Sequence, residues 1–169
     1  IADAHVSGAL HVNGLSTWIL KPSEVMHDLR FFLQNGLRLD NINAQLHSAK
    51  PPENFEEALA ITFNVMLLTQ REINETQTVD YFNVFLAPFV KGLEPEKIKN
   101  HLRVFILNVN QHVNASLGLE LKIPVFLAEK PAINANGNAA GKYADYGQEA
   151  ELLAALVIDV LVEERACKH

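Results

Sequence analysis

The sequence predicts a mainly helical fold with a minor β component, forming a single domain over residues 1–169. The length suits one domain, and 49% hydrophobic residues are enough for a buried core. Apolar residues recur at helical spacing along most of the chain, whereas strict alternation is confined to residues 116–123. Neither an internal repeat nor a polar linker divides the sequence into two cores.

Helical periodicity marks five segments, which are residues 21–36, 53–74, 80–92, 94–113 and a last helix after residue 148. The second of these is apolar nearly all round in its middle, so we expect it to be buried. In the third, we expect Asp80 to cap the helix, Gly92 to end it and Pro88 to kink or interrupt it. The last helix should turn Leu153, Leu156, Val157, Val160 and Leu161 inward.

The minor β component lies at residues 116–123, where leucines and Ile123 alternate with polar residues. Residues 128–144 are rich in Asn, Ala and Gly without periodicity, which predicts a surface loop. A lone strand is unstable, and helices 53–74 and 80–92 carry more apolar surface than five short helices readily hide. The two observations together predict a homodimer.

Charge and cysteine content exclude several functions. A net charge of −6 argues against nucleic acid as a partner, and no apolar run approaches the roughly 20 residues of a membrane span. No signal-peptide pattern opens the sequence. Cys167 is the single cysteine, so the chain holds no internal disulfide, no four-cysteine zinc site and no Cys-x-x-Cys pair. A reducing, cytoplasmic setting fits this composition.

Histidine and asparagine are the polar residues that need an explanation. None of the seven histidines has a partner four residues away on a helix, so we predict no metal site. The alternative is a histidine-based metal site built from His11, His27 and Asp28. Asparagines interrupt the apolar segments and either bridge backbone groups or line a polar pocket. They are Asn64, Asn83, Asn108 and Asn110.

Several stretches taken together carry a family resemblance. They are AHVSGALHV at 4–12, HDLR at 27–30, AKP at 49–51, FNVFLAPF at 82–89 and LELKIP at 119–124. In this order and spacing the sequence resembles the start of the catalytic domain of anaerobic (class III) ribonucleoside-triphosphate reductases, which are glycyl radical enzymes. The segment at 82–89 is the most specific of these matches.

The resemblance implies a ten-stranded α/β barrel, of which this chain covers an early, helix-rich part and not a complete barrel. The family reduces the 2′ carbon of ribonucleotides through a glycyl radical, a thiyl radical on a central cysteine and a second, early cysteine. Formate often supplies the electrons, and deoxynucleotide effectors bind at a dimer interface. We expect the glycyl radical, the central cysteine and a four-cysteine zinc module to lie beyond residue 169, so no cofactor is expected here.

The sequence departs from the family where the chemistry takes place. Met26 stands at the position of the early cysteine, and a thioether has no S–H bond from which to give a hydrogen atom. Both acidic residues and the second histidine of an early family motif are missing between Gly8 and Gly14. We therefore predict no catalytic residue. His11, His27 and Asn83 are candidate remnants of the substrate pocket, and Ser48 and Lys50 are candidate contacts for an effector nucleotide.

Three functions follow from these observations. The first is a fragment or stand-alone relative of the reductase, inactive alone, that acts as a scaffold, a dimerisation module or a nucleoside triphosphate-binding module. The second is a homo-oligomeric interaction protein, paired with its own copy or with a full-length reductase. The third is the histidine-based metal protein.

Overall fold

The computed structural model describes residues 21–37 and 49–166. The predictions on His11, Ser48 and Cys167 lie outside the described residues. The fold is mostly helical with a small sheet component, which confirms the predicted class. The helices are α1 (Leu29–Asn35), α2 (Phe55–Thr69), α3 (Phe82–Val90), α4 (Pro95–His112), α5 (Val125–Ala128) and α6 (Gly147–Ala166). The strands are β1 (Glu24–His27), β2 (Thr76–Val79), β3 (Ala115–Leu117), β4 (Pro131–Ile133) and β5 (Ala139–Lys142).

The first three strands form a parallel sheet in the order β1-β2-β3, with helices in both connections. Consecutive parallel strands with right-handed crossovers place all their connecting helices on one face of the sheet. The burial of the strands agrees with this arrangement. The paired residues His27 and Val79 are buried on one face of the sheet, whereas Met26, on the opposite face, is 71% exposed. Within the described residues the sheet does not close into a barrel.

Strand β1 corrects the helix predicted over residues 21–36, of which only Leu29–Asn35 is helical. The first half instead pairs with β2, from Glu24 beside Thr76 to His27 beside Val79. Asp28 separates the two halves, because its carboxylate accepts the backbone N–H of Arg30 and caps the helix. Val25 and Leu29 are four residues apart, as on one face of a helix, but Val25 belongs to β1 and Leu29 to α1.

Helix α3 is the centre of the core, because all nine of its residues are buried. It packs against α6, and α4 packs against both α6 and α2. The rings of Phe82 on α3 and Phe105 on α4 stack with their centroids 5.5 Å apart. Helices α2 and α4 lie within the predicted segments, and five apolar residues of α4 are buried.

The ends of α3 differ from prediction. Asp80 does not cap the helix; the N-cap is Tyr81, whose side chain makes no capping hydrogen bond. The helix continues through Pro88 to Val90, so the proline does not end it. Every residue around Pro88 is held by core packing, which offsets the loss of one backbone hydrogen bond.

Three further predictions are wrong for reasons of packing. Only Ser116 and Leu117 of the predicted strand are paired, as part of β3, because the Asn83 side chain binds the backbone of Glu120 in place of a neighbouring strand. The predicted loop 128–144 contains the antiparallel hairpin β4–β5, whose turn places Asn136 and Gly137 at positive φ. Leu161 was expected inside but is 43% exposed.

The part of the chain that the structure describes contains no helix with the length and hydropathy that a membrane crossing requires.

Two glycines with similar positive φ angles test how tightly the hairpin packs on α1. Gly92 (φ 78°) has open space where a Cβ would lie, whereas a Cβ on Gly137 (φ 72°) would lie 2.2 Å from the Gln34 carbonyl oxygen. We expect Gly92→Ala to cost about 1–2 kcal/mol for the left-handed backbone alone. Gly137→Ala adds overpacking and should cost about 3 kcal/mol or more. Urea denaturation measures both, and equal losses would contradict the close packing.

Candidate functional site

A pocket of about 180 Å³ lies where β1 and β2 end. Ligands of α/β proteins bind outside the carboxyl ends of parallel strands, because the loops that follow the strands converge there. The residues that line this pocket come from the end of β1, the start of α1, the β2–α3 junction, the first turn of α3 and α5. They are Met26, His27, Asp28, Arg30, Asp80, Tyr81, Phe85, Phe126 and Leu127.

The junction between β2 and α3 is held in a tight conformation. Tyr81 has φ 54° and ψ 31°, a left-handed conformation that non-glycine residues rarely adopt and that costs about 1–3 kcal/mol. Gly118 permits it, because a Cβ there would lie 2.9 Å from Oδ1 of Asp80. The Gly118 amide donates to the Val79 carbonyl and its own carbonyl accepts from Phe82. Backbone strain of this kind is concentrated at functional sites.

One wall of the pocket is an ion pair. The Arg30 guanidinium donates to Asp28 through Nε at 2.9 Å and Nη2 at 2.5 Å, which is the forked geometry favoured by Arg–carboxylate pairs. These hydrogen bonds hold the pKa of Asp28 below its ordinary value. Arg30 also lies 5.3 Å from the centroid of the Phe85 ring, a cation–π distance.

A series of aromatic rings continues from this point. Phe85 contacts Tyr81 with centroids 5.7 Å apart, and Tyr81 contacts Phe126 at 5.6 Å, both edge to face. On the inner side Phe85 lies 5.7 Å from Tyr143, which is fully buried. Burial raises the pKa of Tyr143 to about 12. The outer end of the series, Phe126, is 59% exposed.

His27 connects the pocket to the interior. Its Nε2 lies 2.8 Å from Oε1 of Gln77 on the neighbouring strand. Because the Gln77 amide nitrogen donates to the Met66 carbonyl, Oε1 is the acceptor and His27 Nε2 carries the proton. The imidazole is thereby fixed in one tautomer. No group of three or more His, Cys, Asp or Glu side chains suited to a metal ion occurs within 21–37 and 49–166.

The family model of the anaerobic ribonucleoside-triphosphate reductases matches residues 1–169 of this sequence. The chain belongs to the anaerobic ribonucleoside-triphosphate reductase family. No curated protein sequence matches it significantly.

The fold is similar to solved structures of the anaerobic ribonucleotide reductase from Thermotoga maritima. The structure in complex with dATP and CTP has a TM-score of 0.71 at 13% identity over 96% of this chain, which corresponds to 29% of that chain. The structure with citrate in the active site has a TM-score of 0.70 at 14% identity, covering 98% of this chain and 31% of that one. The chain thus spans less than a third of the length of these reductases.

The site residues predicted from the sequence do not all lie in this pocket. His27 lines the pocket, as does Met26, the residue that the sequence resemblance aligns with the family's early cysteine. Lys50 is exposed and does not line the pocket. Asn83 also lies apart from the pocket lining, buried on α3, where its amide donates to the carbonyls of Glu120 and Ala150 and accepts the Glu120 N–H.

Sequence reasoning did not single out Asp80, Tyr81, Arg30 or Phe126 as site residues. Asp80 was interpreted as a helix cap, although a carboxylate directly after a buried parallel strand is the signal that could have identified it. That signal was hidden because Thr76–Val79 is only four residues long. Phe126 lies on a four-residue helix without any periodicity, so only the tertiary structure places it beside Tyr81.

Substitution of Asn83 tests whether this residue supports the fold or contacts a ligand in the pocket. Asn83→Ala leaves the Glu120 N–H and the carbonyls of Glu120 and Ala150 without their partner, so we expect a loss of about 2–3 kcal/mol of unfolding free energy. Asn110→Ala, at an exposed position of α4, should stay within about 0.5 kcal/mol of the parent. Urea denaturation measures both. An Asn83→Ala protein with unchanged stability that has lost ligand binding would instead support the pocket role.

Proposed function

We propose that this chain forms an early part of the α/β barrel of a reductase catalytic domain and binds ribonucleoside triphosphates at the pocket beside β1 and β2. The observation that carries the proposal is the position of Met26. The resemblance aligns it with the family's early cysteine, and it lines a pocket at the carboxyl end of a parallel strand. Sequence relationship and pocket geometry therefore favour the same place.

The sheet supports the barrel part of the proposal. Three consecutive parallel strands in sequential order, each joined to the next by helices, are the repeating unit of an α/β barrel. The face that carries Met26, Thr78 and Ser116 in one register row would face the interior of that barrel. A barrel requires further strands that the described residues do not contain.

We propose that the 169 residues alone perform no reduction and serve as scaffold and binding module. Hydrogen-atom transfer needs an S–H bond near the substrate, and the Met26 thioether has none. The only thiol of the sequence is Cys167. The expected cytoplasmic location is part of this proposal, as is effector binding at Ser48 and Lys50, for which the evidence is their position in the sequence.

Methionine labelling tests the nucleotide proposal with an internal control. The sequence has two methionines, of which Met26 lines the pocket and Met66 is fully buried in α2. In the carbon-13 methyl spectrum of the labelled protein, we expect CTP, ATP, GTP or UTP to shift the Met26 signal and leave Met66 in place. A Met26 signal that stays unmoved at millimolar concentrations of all four nucleotides would contradict binding at this pocket.

A homodimer is the second candidate, but the structure replaces the two observations from which the sequence predicted it. Strand β3 pairs with β2 and α3 is buried within the described chain, so neither leaves a surface that demands a partner. The surface that favours a dimer is instead a groove of about 250 Å³ between α4 and α6. Its residues Leu107 and Leu161 are each at least 40% exposed. Glu164 and Arg165 lie in the same groove, which suits contact with a second copy in the opposite orientation.

Sedimentation velocity tests this candidate. We expect the chain to sediment as a dimer at high micromolar concentration, and Leu107→Ser with Leu161→Ser to shift it to a monomer. Val125→Ser removes a still more exposed apolar side chain outside the groove and should leave the dimer intact. A parent protein that is monomeric throughout would contradict self-association and leave a full-length reductase as the remaining partner.

A further inference from the structure

We infer that Asn136, in the turn of the β4–β5 hairpin, is a site of covalent self-modification, at which the side-chain amide is lost through a cyclic imide. The product is an aspartate, or an isoaspartate whose backbone runs through the side chain. Glycine follows Asn13, Asn35 and Asn136 in the sequence, and of these only Asn35 and Asn136 lie within the described residues. The structure distinguishes these two sites, although both have the same dipeptide sequence.

The reaction requires no reagent other than water. The backbone nitrogen of the residue after Asn gives its proton to water and attacks the side-chain Cγ. The N–Cγ bond forms, the Cγ–Nδ2 bond breaks, and Nδ2 takes up a proton and leaves as ammonia. Water then opens the imide on either side of its nitrogen, without oxidation or reduction, and yields aspartate or isoaspartate. Glycine favours the attack because no Cβ stands beside its nitrogen, and asparagine is among the thermolabile residues.

Asn35, at the end of α1, is held out of this reaction by its surroundings. Its Nδ2 donates to the Phe31 carbonyl at 2.9 Å, so the leaving group is bound within the last turn of the helix. The Gly36 N–H, whose nitrogen would attack, donates to the Phe32 carbonyl at 2.8 Å. Gly36 is also buried, and a Cβ there would lie 2.1 Å from the Ala49 carbonyl oxygen. The backbone therefore has no room to turn toward the side chain.

Asn136 lacks these restraints, because its side chain is exposed. The side-chain hydrogen bonds of this turn are made by Asn134 and Asn138, whereas the Asn136 amide group forms none with the described residues. The Gly137 N–H donates to the Asn134 carbonyl at 3.1 Å, a longer bond than that of Gly36. Exposed turns open at a lower cost in free energy than buried helix ends, so the attacking nitrogen is released more often at Gly137.

The modification has a structural consequence, because the turn is attached to two other segments. The Asn136 N–H donates to the Pro52 carbonyl at 2.8 Å, and a Cβ on Gly137 would lie 2.2 Å from the Gln34 carbonyl oxygen of α1. Isoaspartate inserts one carbon, about 1.5 Å of chain, between these two contacts. The turn cannot then keep both of them, so the end of α1 loses its support. One negative charge is added at the same place.

Peptide mapping by mass spectrometry tests the inference, with Asn35 as the internal control. In the folded 169-residue chain, kept in mildly alkaline buffer, we expect Asn136 to lose its amide about tenfold faster than Asn35, or more. In urea that unfolds the chain, the two rates should agree within about threefold, because only the local sequence then acts. Equal rates in the folded protein, a faster reaction at Asn35, or an Asn136 that reacts only in urea would overturn the inference.

Two variants separate the inserted carbon from the added charge. Asn136→Gly keeps the left-handed turn and has no amide to lose, and Asn136→Asp carries the charge on an ordinary backbone. The reporter is hydrogen exchange of the Gly36 N–H at the end of α1. We expect exchange about tenfold faster in the isoaspartate fraction, isolated by ion exchange, than in the unmodified chain. Both variants should exchange like the unmodified chain, and an isoaspartate fraction that does so too would overturn the predicted loosening of α1.

Discussion

The complete burial of α3 is the constraint on which the rest of the structure depends. A nine-residue helix with no exposed side chain must be covered on every side, so α1, α2 and α6 and strand β4 are all brought against it. Its one polar side chain, Asn83, then has to find partners inside the protein. It binds the backbone of Glu120 and Ala150, 37 and 67 residues away in sequence, and thereby fixes two segments that no sheet holds.

The candidate site is built on the same helix. Tyr81 is the residue from which α3 starts, and Phe85, one turn later, supports the Arg30 guanidinium. The aromatic series from Tyr143 to Phe126 therefore runs from the core to solvent across the first turn of a buried helix. Site residues that are supported by packed elements are held more accurately than residues on loops alone. The strain at Tyr81 persists because Gly118 and the core hold both sides of the junction.

The resemblance to the reductase family has different consequences for ligand binding and for catalysis. The family relation and the parallel strands favour a nucleotide pocket, whereas the residue that the resemblance aligns with a reactive cysteine is Met26. The methionine side chain is longer than that of cysteine, and its thioether has no S–H hydrogen atom to transfer. The pocket around it is lined by the ion pair of Asp28 and Arg30, the carboxylate of Asp80 and aromatic rings.

The sequence by itself determined the helical class, the positions of α2 and α4 and the family. The helices depend on short-range sequence, because an amphipathic helix satisfies its own backbone hydrogen bonds and places an apolar residue on its buried face every three to four positions. Tertiary structure alone decided β1, the hairpin β4–β5, the unpaired stretch after Gly118 and the exposure of Leu161. A four-residue strand such as Glu24–His27 is defined by partners 50 residues away, so its own residues carry too little pattern to reveal it. The pocket is decided in the same way: Asp28, Asp80 and Phe126 become neighbours only when parallel pairing aligns the ends of the strands.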